Sequence, residues 1–268
     1  MNSKALLLFV ILVSPVFSVR VLYPVVAEVS QQSRIEIGTV GPGQTFAVAV
    51  DPKVYTGGKY GLGGSYDLLV ATKLPEGWST APSKLYSNPL QAEVTVSKDA
   101  QDGEYEVEFT LWDEAGSEGL GENVTFVAKV LVSHDIVDMK IEPSFLSVGA
   151  GQPARYTIKV LNKGIANDIF TISSSGVSNW AFQRSIYIPA GTSRTISYEV
   201  VGNEESDYSV RISARSASSD KISSSSVVKL EVYTNLFSDW KAINRGVLLF
   251  PLTQASAYFV AGLLSLLF

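Results

Sequence analysis

The sequence predicts an all-β chain: two tandem antiparallel β-sandwiches followed by a C-terminal transmembrane helix. Three observations carry this expectation. Apolar and polar residues alternate through the middle of the chain, that middle contains one pattern twice, and the closing stretch "GVLLFPLTQASAYFVAGLLSLLF" (Gly246 to Phe268) holds no charged residue.

The alternation is clearest in "EYEVEFTL", where Tyr105, Val107, Phe109 and Leu111 fall on one face and Glu104, Glu106, Glu108 and Thr110 on the other. A period of two is that of a half-buried strand. The same reading applies to "TFAVAV" at Phe46, "QAEVTV" at Val94, "ARYTIKV" at Tyr156, "TISYEV" at Tyr198 and "YSVRISA" at Val210. Clusters of Gly, Pro, Asn and Ser separate these segments, as turns separate the strands of a sandwich. "SSSS" (Ser223 to Ser226) is read as one such solvated loop.

The internal repeat sets the domain count. "GPGQTFAVAV" at Gly41 corresponds to "GAGQPARYTIKV" at Gly149, "EGWSTAPSKLY" at Trp78 to "SNWAFQRSIYI" at Trp180, and "DGEYEVEF" at Tyr105 to "ESDYSVRI" at Tyr208. Order and spacing are kept, and each unit of about 100 residues has the size of an immunoglobulin-like sandwich. Recurrence of Trp78 and Trp180 at equivalent places points to core packing rather than ligand stacking. Sandwiches are expected at 28–133 and 134–234, joined through "VSHDIVDMK".

The two ends differ from the middle. Lys4 precedes the apolar run "ALLLFVILV", and "SPVFS" follows, the layout of a signal peptide over residues 1–18. Cuts after Ser18 and after Ala27 both fit, and an uncleaved N-terminal anchor is the alternative. As a helix the closing stretch reaches roughly 34 Å, enough to cross a hydrocarbon core of about 30 Å. A juxtamembrane segment at 235–245 places Leu236, Phe237, Trp240 and Ile243 at helical spacing, with Lys241 and Arg245 as headgroup contacts. The expected location is the cell membrane, single-pass, with the ectodomain outside the cytoplasm.

Composition removes several chemistries. A net charge of −5 argues against a nucleic-acid binder, and the absence of cysteine excludes disulfides, thiolate metal sites and cysteine nucleophiles. His134 is the only histidine, so no triad built on histidine and no multi-histidine metal site can form; it reads as a linker residue. Asp99, Asp102 and Glu104 lack the ligand alternation of a calcium loop and read as a solvated turn. No metal, cofactor or catalytic residue is expected.

One segment has no counterpart in the second copy. "YTGGKYGLGGSYD" (Tyr55 to Asp67) lacks the spacing of a phosphate-binding loop and reads as a flexible glycine-rich loop. Its Tyr55, Lys59, Tyr60 and Tyr66 are the candidate contacts for a glycan or protein partner. Asn123-Val-Thr125 is a glycosylation candidate.

The run "LPEGW" followed by "AEVTVSKDAQDGEYEVEFTL" resembles the NPCBM-associated, NEW-type immunoglobulin-like domains, relatives of the CARDB adhesion modules of archaeal and bacterial surface proteins. "GAGQPARYTIKVLNKGIANDIFTI", "VSNWAF" and "IPAGTSRTISYEV" carry the likeness in the second copy, and "VLNKG" fits the family's strand-end turn where the first copy has "AVDPK". The resemblance implies spacer, adhesion or accessory roles. Two function classes follow: a non-catalytic structural or adhesive surface protein beside surface-layer protein or glycan, or the accessory ectodomain of a membrane complex with a polytopic partner in secretion, glycan transfer or transport.

Overall fold

A computed structural model describes residues 18–234, apart from 115, 117, 121 and 122, together with Phe259. Residues 1–17 of the expected signal peptide, the juxtamembrane segment and, Phe259 apart, the expected transmembrane helix lie outside the described residues. Among the described residues no helix is long and apolar enough to cross a membrane. The chain divides into two compact units. The first gathers the chain up to Gly38 with Thr45–Ser97 and Gly103–Leu131; the second gathers Thr39–Gln44, Lys98–Asp102 and the chain from Val132 on.

The strands of the first repeat are β1 (Val19–Tyr23), β2 (Ala27–Val29), β3 (Arg34–Val40), β4 (Thr45–Asp51), β5 (Lys53–Val54), β6 (Gly64–Ser65), β7 (Leu68–Lys73), β8 (Ser79–Ala81), β9 (Leu90–Thr95), β10 (Gly103–Trp112) and β11 (Val124–Val132). One sheet runs β2-β1-β4-β9-β8, the other β3-β11-β10-β7, and β5 and β6 form a separate two-stranded ribbon. Strand β1 precedes residue 28, where the sandwich was expected to start, and pairs with both β2 and β4. Its Val19 and Val21 are core residues.

On β10 the alternation read from the sequence places Val107, Phe109 and Leu111 inside, with Tyr105 half-buried at the strand's start and Glu104 and Glu106 exposed. Phe109 stacks on Phe126 with ring centroids 5.5 Å apart. Trp78 is buried and meets the edge of Phe46 at 6.5 Å and the ring of Tyr105 at 5.4 Å. Offset and edge contacts of this kind add to the area each aromatic buries.

The second repeat contributes β12 (Val137–Glu142), β13 (Phe145–Gly149), β14 (Pro153–Asn162), β15 (Asp168–Ser175), β16 (Gln183–Ile188), β17 (Ser193–Val201), β18 (Ser206–Ser216) and β19 (Ser223–Tyr233). Its sheets run β12-β14-β17 and β13-β19-β18-β15-β16. Strand β13 lies parallel to β19, while the other pairs in these two sheets are antiparallel. Ser223–Ser226, expected as a loop, forms the start of β19. Four serines give no apolar contrast for a period to show, yet Ser223 and Ser225 sit opposite Arg215 and Ser213 of β18 in an unbroken ladder.

Trp180 repeats the part of Trp78. It is half-buried against the core, its ring lies 4.6 Å from Tyr208, and its Nε1 donates to Val201 O at 2.9 Å. The Tyr208 hydroxyl donates to Glu204 O, four residues upstream, at 3.2 Å, the arrangement of a tyrosine corner.

Buried polar groups are tied in place. Asn162, at the end of β14, donates from Nδ2 to Ala166 O at 2.8 Å and Ile188 O at 3.1 Å, and accepts from Gly164 N at 3.0 Å. The Asp168 carboxylate accepts from Gln44 Nε2 and Ser216 Oγ at 2.6 Å, from Ile169 N at 2.7 Å and from Ser218 Oγ at 3.0 Å. Gln44 comes from the stretch Thr39–Gln44, which belongs to this second unit although the first repeat encodes it.

Candidate functional site

Strand β4 ends at Asp51, and the chain reaches β7 through the glycine-rich segment singled out above. That segment is a built hairpin rather than a flexible loop. Lys53 pairs with Ser65 and Val54 with Gly64; Gly63 N then donates to Gly57 O at 2.9 Å and Gly61 N to Gly58 O at 3.1 Å. Gly63 has φ +86, and a Cβ there would lie 2.0 Å from Val54 O, so only glycine lets the two arms approach. Lys59 N donates to Glu118 O at 2.8 Å, which fastens the tip to the β10–β11 connection.

The expected contact residues separate into two groups. Tyr55 and Tyr60 are 81% and 79% exposed, Lys59 is exposed, and Lys59 Nζ sits 5.7 Å from the centre of the Tyr60 ring. Tyr66 is different: it is 2% exposed and belongs to the core, which corrects its assignment as a contact. It stands at the base of the hairpin, where Tyr66 N donates to Pro52 O at 2.9 Å and the chain enters β7. Burial pushes its hydroxyl above the ordinary tyrosine range, with the Asp113 carboxylate adding to the effect.

Two further exposed residues belong to the hairpin, one at its tip and one at its base. Leu62 is 84% exposed at the turn of the hairpin. Tyr86, also exposed, stands at the base, where Tyr86 N donates to Asp67 O at 2.9 Å and Asp67 N donates to Trp112 O at 2.8 Å. Leu62 stood in the sequence as the one aliphatic side chain within a Gly-rich run, a signal that was available. Tyr86 lies far from that run in sequence, and only the pairing of loops places it here. Asn123 is exposed at the same end of the sandwich, directly before β11. The hydroxyl of its sequon partner Thr125 is 3.2 Å from that of Thr110.

Asp99, Asp102 and His134 each have a partner. Asp99 meets Lys221 Nζ at 3.0 Å. His134, expected as a plain linker residue, hydrogen-bonds through Nδ1 to the Asp102 carboxylate, and its backbone N–H donates to the same oxygen at 3.0 Å. The side-chain hydrogen bond from His134 is the main reason that the Asp102 carboxyl is held below its ordinary value.

No protein-family model matches the chain, and no curated protein matches it. Among solved structures, a chimeric titin Z1Z2 functionalised with a KLER peptide from decorin is 11% identical, with a TM-score of 0.34, over 83% of this chain and 100% of that one. The β-glucosidase from Listeria innocua in complex with glucose is 10% identical with a TM-score of 0.26, over 37% of this chain and 16% of that one. The PapD-like domain 7 of human CEP192 is 11% identical with a TM-score of 0.26, over 36% of this chain and 84% of that one. These likenesses are slight, and the fold is assigned from the strand order of the chain itself. Each unit packs two sheets face to face, with paired Trp and Tyr in the core and a tyrosine corner in the second: the two units are immunoglobulin-like β-sandwiches.

Proposed function

We propose that the chain is an exported, non-catalytic surface protein, held in the cell membrane by the segment 246–268, whose first sandwich meets a partner through the tip of the β5–β6 hairpin. The observation that carries this reading is the exposure of Tyr55, Tyr60 and Leu62 on a hairpin whose backbone is fixed by its own hydrogen bonds and by Glu118. Large apolar side chains held rigidly in water cost solvation in the free protein and little conformational entropy on binding. The resemblance to NEW-type and CARDB-like domains agrees with a spacer or adhesive role beside a protein surface layer.

In this reading the leader is cut after Ser18. Removal of residues up to Ala27 would take away β1, which lies between β2 and β4 and supplies two core valines, which favours the cut after Ser18 over one after Ala27. Intact-mass measurement of the exported protein tests this: a chain beginning at Glu28 overturns the cut, and a chain that keeps Met1 in the cytoplasm overturns export.

The tip is tested by co-purification in mild detergent, comparing the parent chain with Tyr55→Ser/Tyr60→Ser/Leu62→Ser. Surface-layer protein recovered with the parent and lost with the triple variant, at unchanged thermal melting, supports the adhesive reading. Stoichiometric polytopic partners point instead to the accessory subunit of a membrane complex, and equal recovery by both chains overturns the role of the tip.

A further inference from the structure

We propose that Asn123 carries an N-linked oligosaccharide whose first sugars lie on the outward face of the sheet β3-β11-β10-β7, against Trp112. The inference rests on the export reading above and not on the hairpin tip.

Asn123-Val-Thr125 is the one acceptor triplet in the sequence. Strand register decides where a sugar on it would go. Phe109 stacks on Phe126, and the hydroxyls of Thr110 and Thr125 are 3.2 Å apart, so these residues of β10 and β11 face each other. Two residues further, where β10 ends and β11 begins, the same face brings Asn123 opposite Trp112, about 5 Å away between backbones. Both are exposed, Trp112 to 40%. On the other flank β11 is closed by the β2–β3 connection: Thr125 N donates to Gln31 Oε1 at 2.8 Å and Gln32 N to Thr125 O at 2.7 Å. A sugar on Asn123 therefore extends over β10 and β7.

The surface there suits a neutral sugar. From Trp112 the row crosses to Leu68 on β7, and the next row runs from Thr125 through Thr110 to Val70. Leu68 and Val70 are half-buried on this outward face, and the two rows hold no charged side chain. Glu108 stands in the row beyond, where its Oε1 accepts from Thr72 Oγ1 at 3.2 Å. An exposed indole beside half-buried aliphatic groups leaves apolar area in water. The C–H face of a pyranose covers that ring while the sugar hydroxyls stay solvated.

The modification is a glycosyl transfer, and its donor is an oligosaccharide linked through phosphate to a polyisoprenoid carrier. Asn123 Nδ2 attacks the anomeric carbon: the N–C1 bond forms, the C1–O bond breaks with its electron pair leaving on the phosphate, and one amide proton passes to a base of the transferase. Thr125 supplies the hydroxyl that the triplet requires.

The experiment uses the full chain, purified in detergent from the cells that produce it. Trypsin releases the triplet in one peptide, residues 99–129, whose mass is read together with that of the intact chain. The peptide is expected to be heavier by a series of sugar residues in the parent, in Thr125→Ser and in the tip variant Tyr55→Ser/Tyr60→Ser/Leu62→Ser, and to have its bare mass in Asn123→Gln and Thr125→Val. Asn123→Gln is expected to lower the thermal midpoint by about 3 °C in the parent and by less than about 1 °C in Trp112→Ser, which keeps the sugar and removes the ring beneath it. A bare peptide from a chain beginning at Val19 overturns this proposal and leaves export standing, whereas a bare peptide from a chain that keeps Met1 overturns both. Sugar present, with an equal loss on Asn123→Gln in the two backgrounds, overturns its placement against Trp112.

Discussion

The two sandwiches diverge where strand β4 in one and β14 in the other come to an end. In the second repeat Asn162 is fully buried and ties the following turn to Ala166, Ile188 and Gly164. In the first repeat Asp51 stands at the corresponding place, is only half-buried, and accepts one hydrogen bond, from Lys53 N at 3.1 Å. A buried amide that satisfies several backbone groups dictates one short path for the chain. A half-solvated carboxylate dictates none, and there the first repeat carries its hairpin. The strands that follow the two tryptophans differ as well: β8 pairs with β9, whereas β16 pairs with β15 and widens the opposite sheet. One repeat has thus gained a projecting tip and the other a broad polar face.

The largest effect is expected from breaking the Asn162 tie. Asn162→Ala leaves buried carbonyls at Ala166 and Ile188 and the N–H of Gly164 without their side-chain partner, which costs about 3–4 kcal/mol. Asp51→Ala loses one exposed hydrogen bond and costs less than about 1 kcal/mol. Urea unfolding followed by tryptophan fluorescence checks both. Equal costs would remove the contrast between the two turns.

Alkaline pH sharpens the comparison on the side of the cores. Tyr156 pairs across strands with Tyr198, their rings 6.2 Å apart, and its hydroxyl donates to Lys229 O at 2.9 Å. Burial first, and then the neighbouring Tyr198, pushes its hydroxyl up to about 12, and burial raises Tyr198 also. The unfolded chain gives up this proton near pH 10 and the folded chain only near 12, so the stabilisation is complete below pH 10 and is lost as pH rises through that window. Tyr156 alone accounts for about 2–3 kcal/mol of the loss. Tyr156→Phe should flatten the decline measured by urea unfolding at stepped pH; an unchanged slope would mean that the tyrosine is not shielded from water.

Much of this architecture was legible in the sequence, and the exceptions have physical causes. The six alternating segments are all strands because each puts apolar side chains on one face only, and the paired Trp and Tyr recur because both cores need them. Tyr66 was misplaced because its neighbours are glycine and serine, which announce a loop, while its burial depends on the base of a hairpin closing over β7. The polar ladder of β19 was read as a loop for want of apolar contrast. The choice of β9 or β15 as partner for the short strand after each tryptophan is not written in that strand at all. Nor is the bond from Gln44 to Asp168, which joins residues far apart in the chain. Tyr55, Lys59 and Tyr60 of the hairpin were legible as an insertion rich in tyrosine; Tyr86 was not, since a backbone bond to Asp67 brings it to the hairpin's base.

The glycines of the two repeats give a smaller contrast. Gly63→Ala places a methyl group against Val54 O within a left-handed conformation and should cost about 2 kcal/mol, with faster hydrogen exchange confined to the hairpin. Gly191, with φ +64, has no heavy atom within 4 Å of an added Cβ. Gly191→Ala should cost about 1 kcal/mol, the conformational term alone. Exchange that speeds equally across the first sandwich in Gly63→Ala would show that the hairpin is not a separable element.

The smallest effects are expected on the outward faces of β10 and β18. Glu106 pairs with Arg34 at 2.8 Å, but both side chains are about half exposed or more, so Glu106→Ala should change stability by no more than about 0.5 kcal/mol. Arg211 faces solvent between Ser175 and Val227, and Arg211→Ala should change it as little. Their inward neighbours set the scale: Val107→Ala and Val210→Ala remove buried methyl groups and should cost about 2 kcal/mol each. Chemical unfolding of the four variants ranks them. A loss above about 2 kcal/mol at Glu106 or Arg211, matching the inward valines, would place the wrong face of these strands against the core.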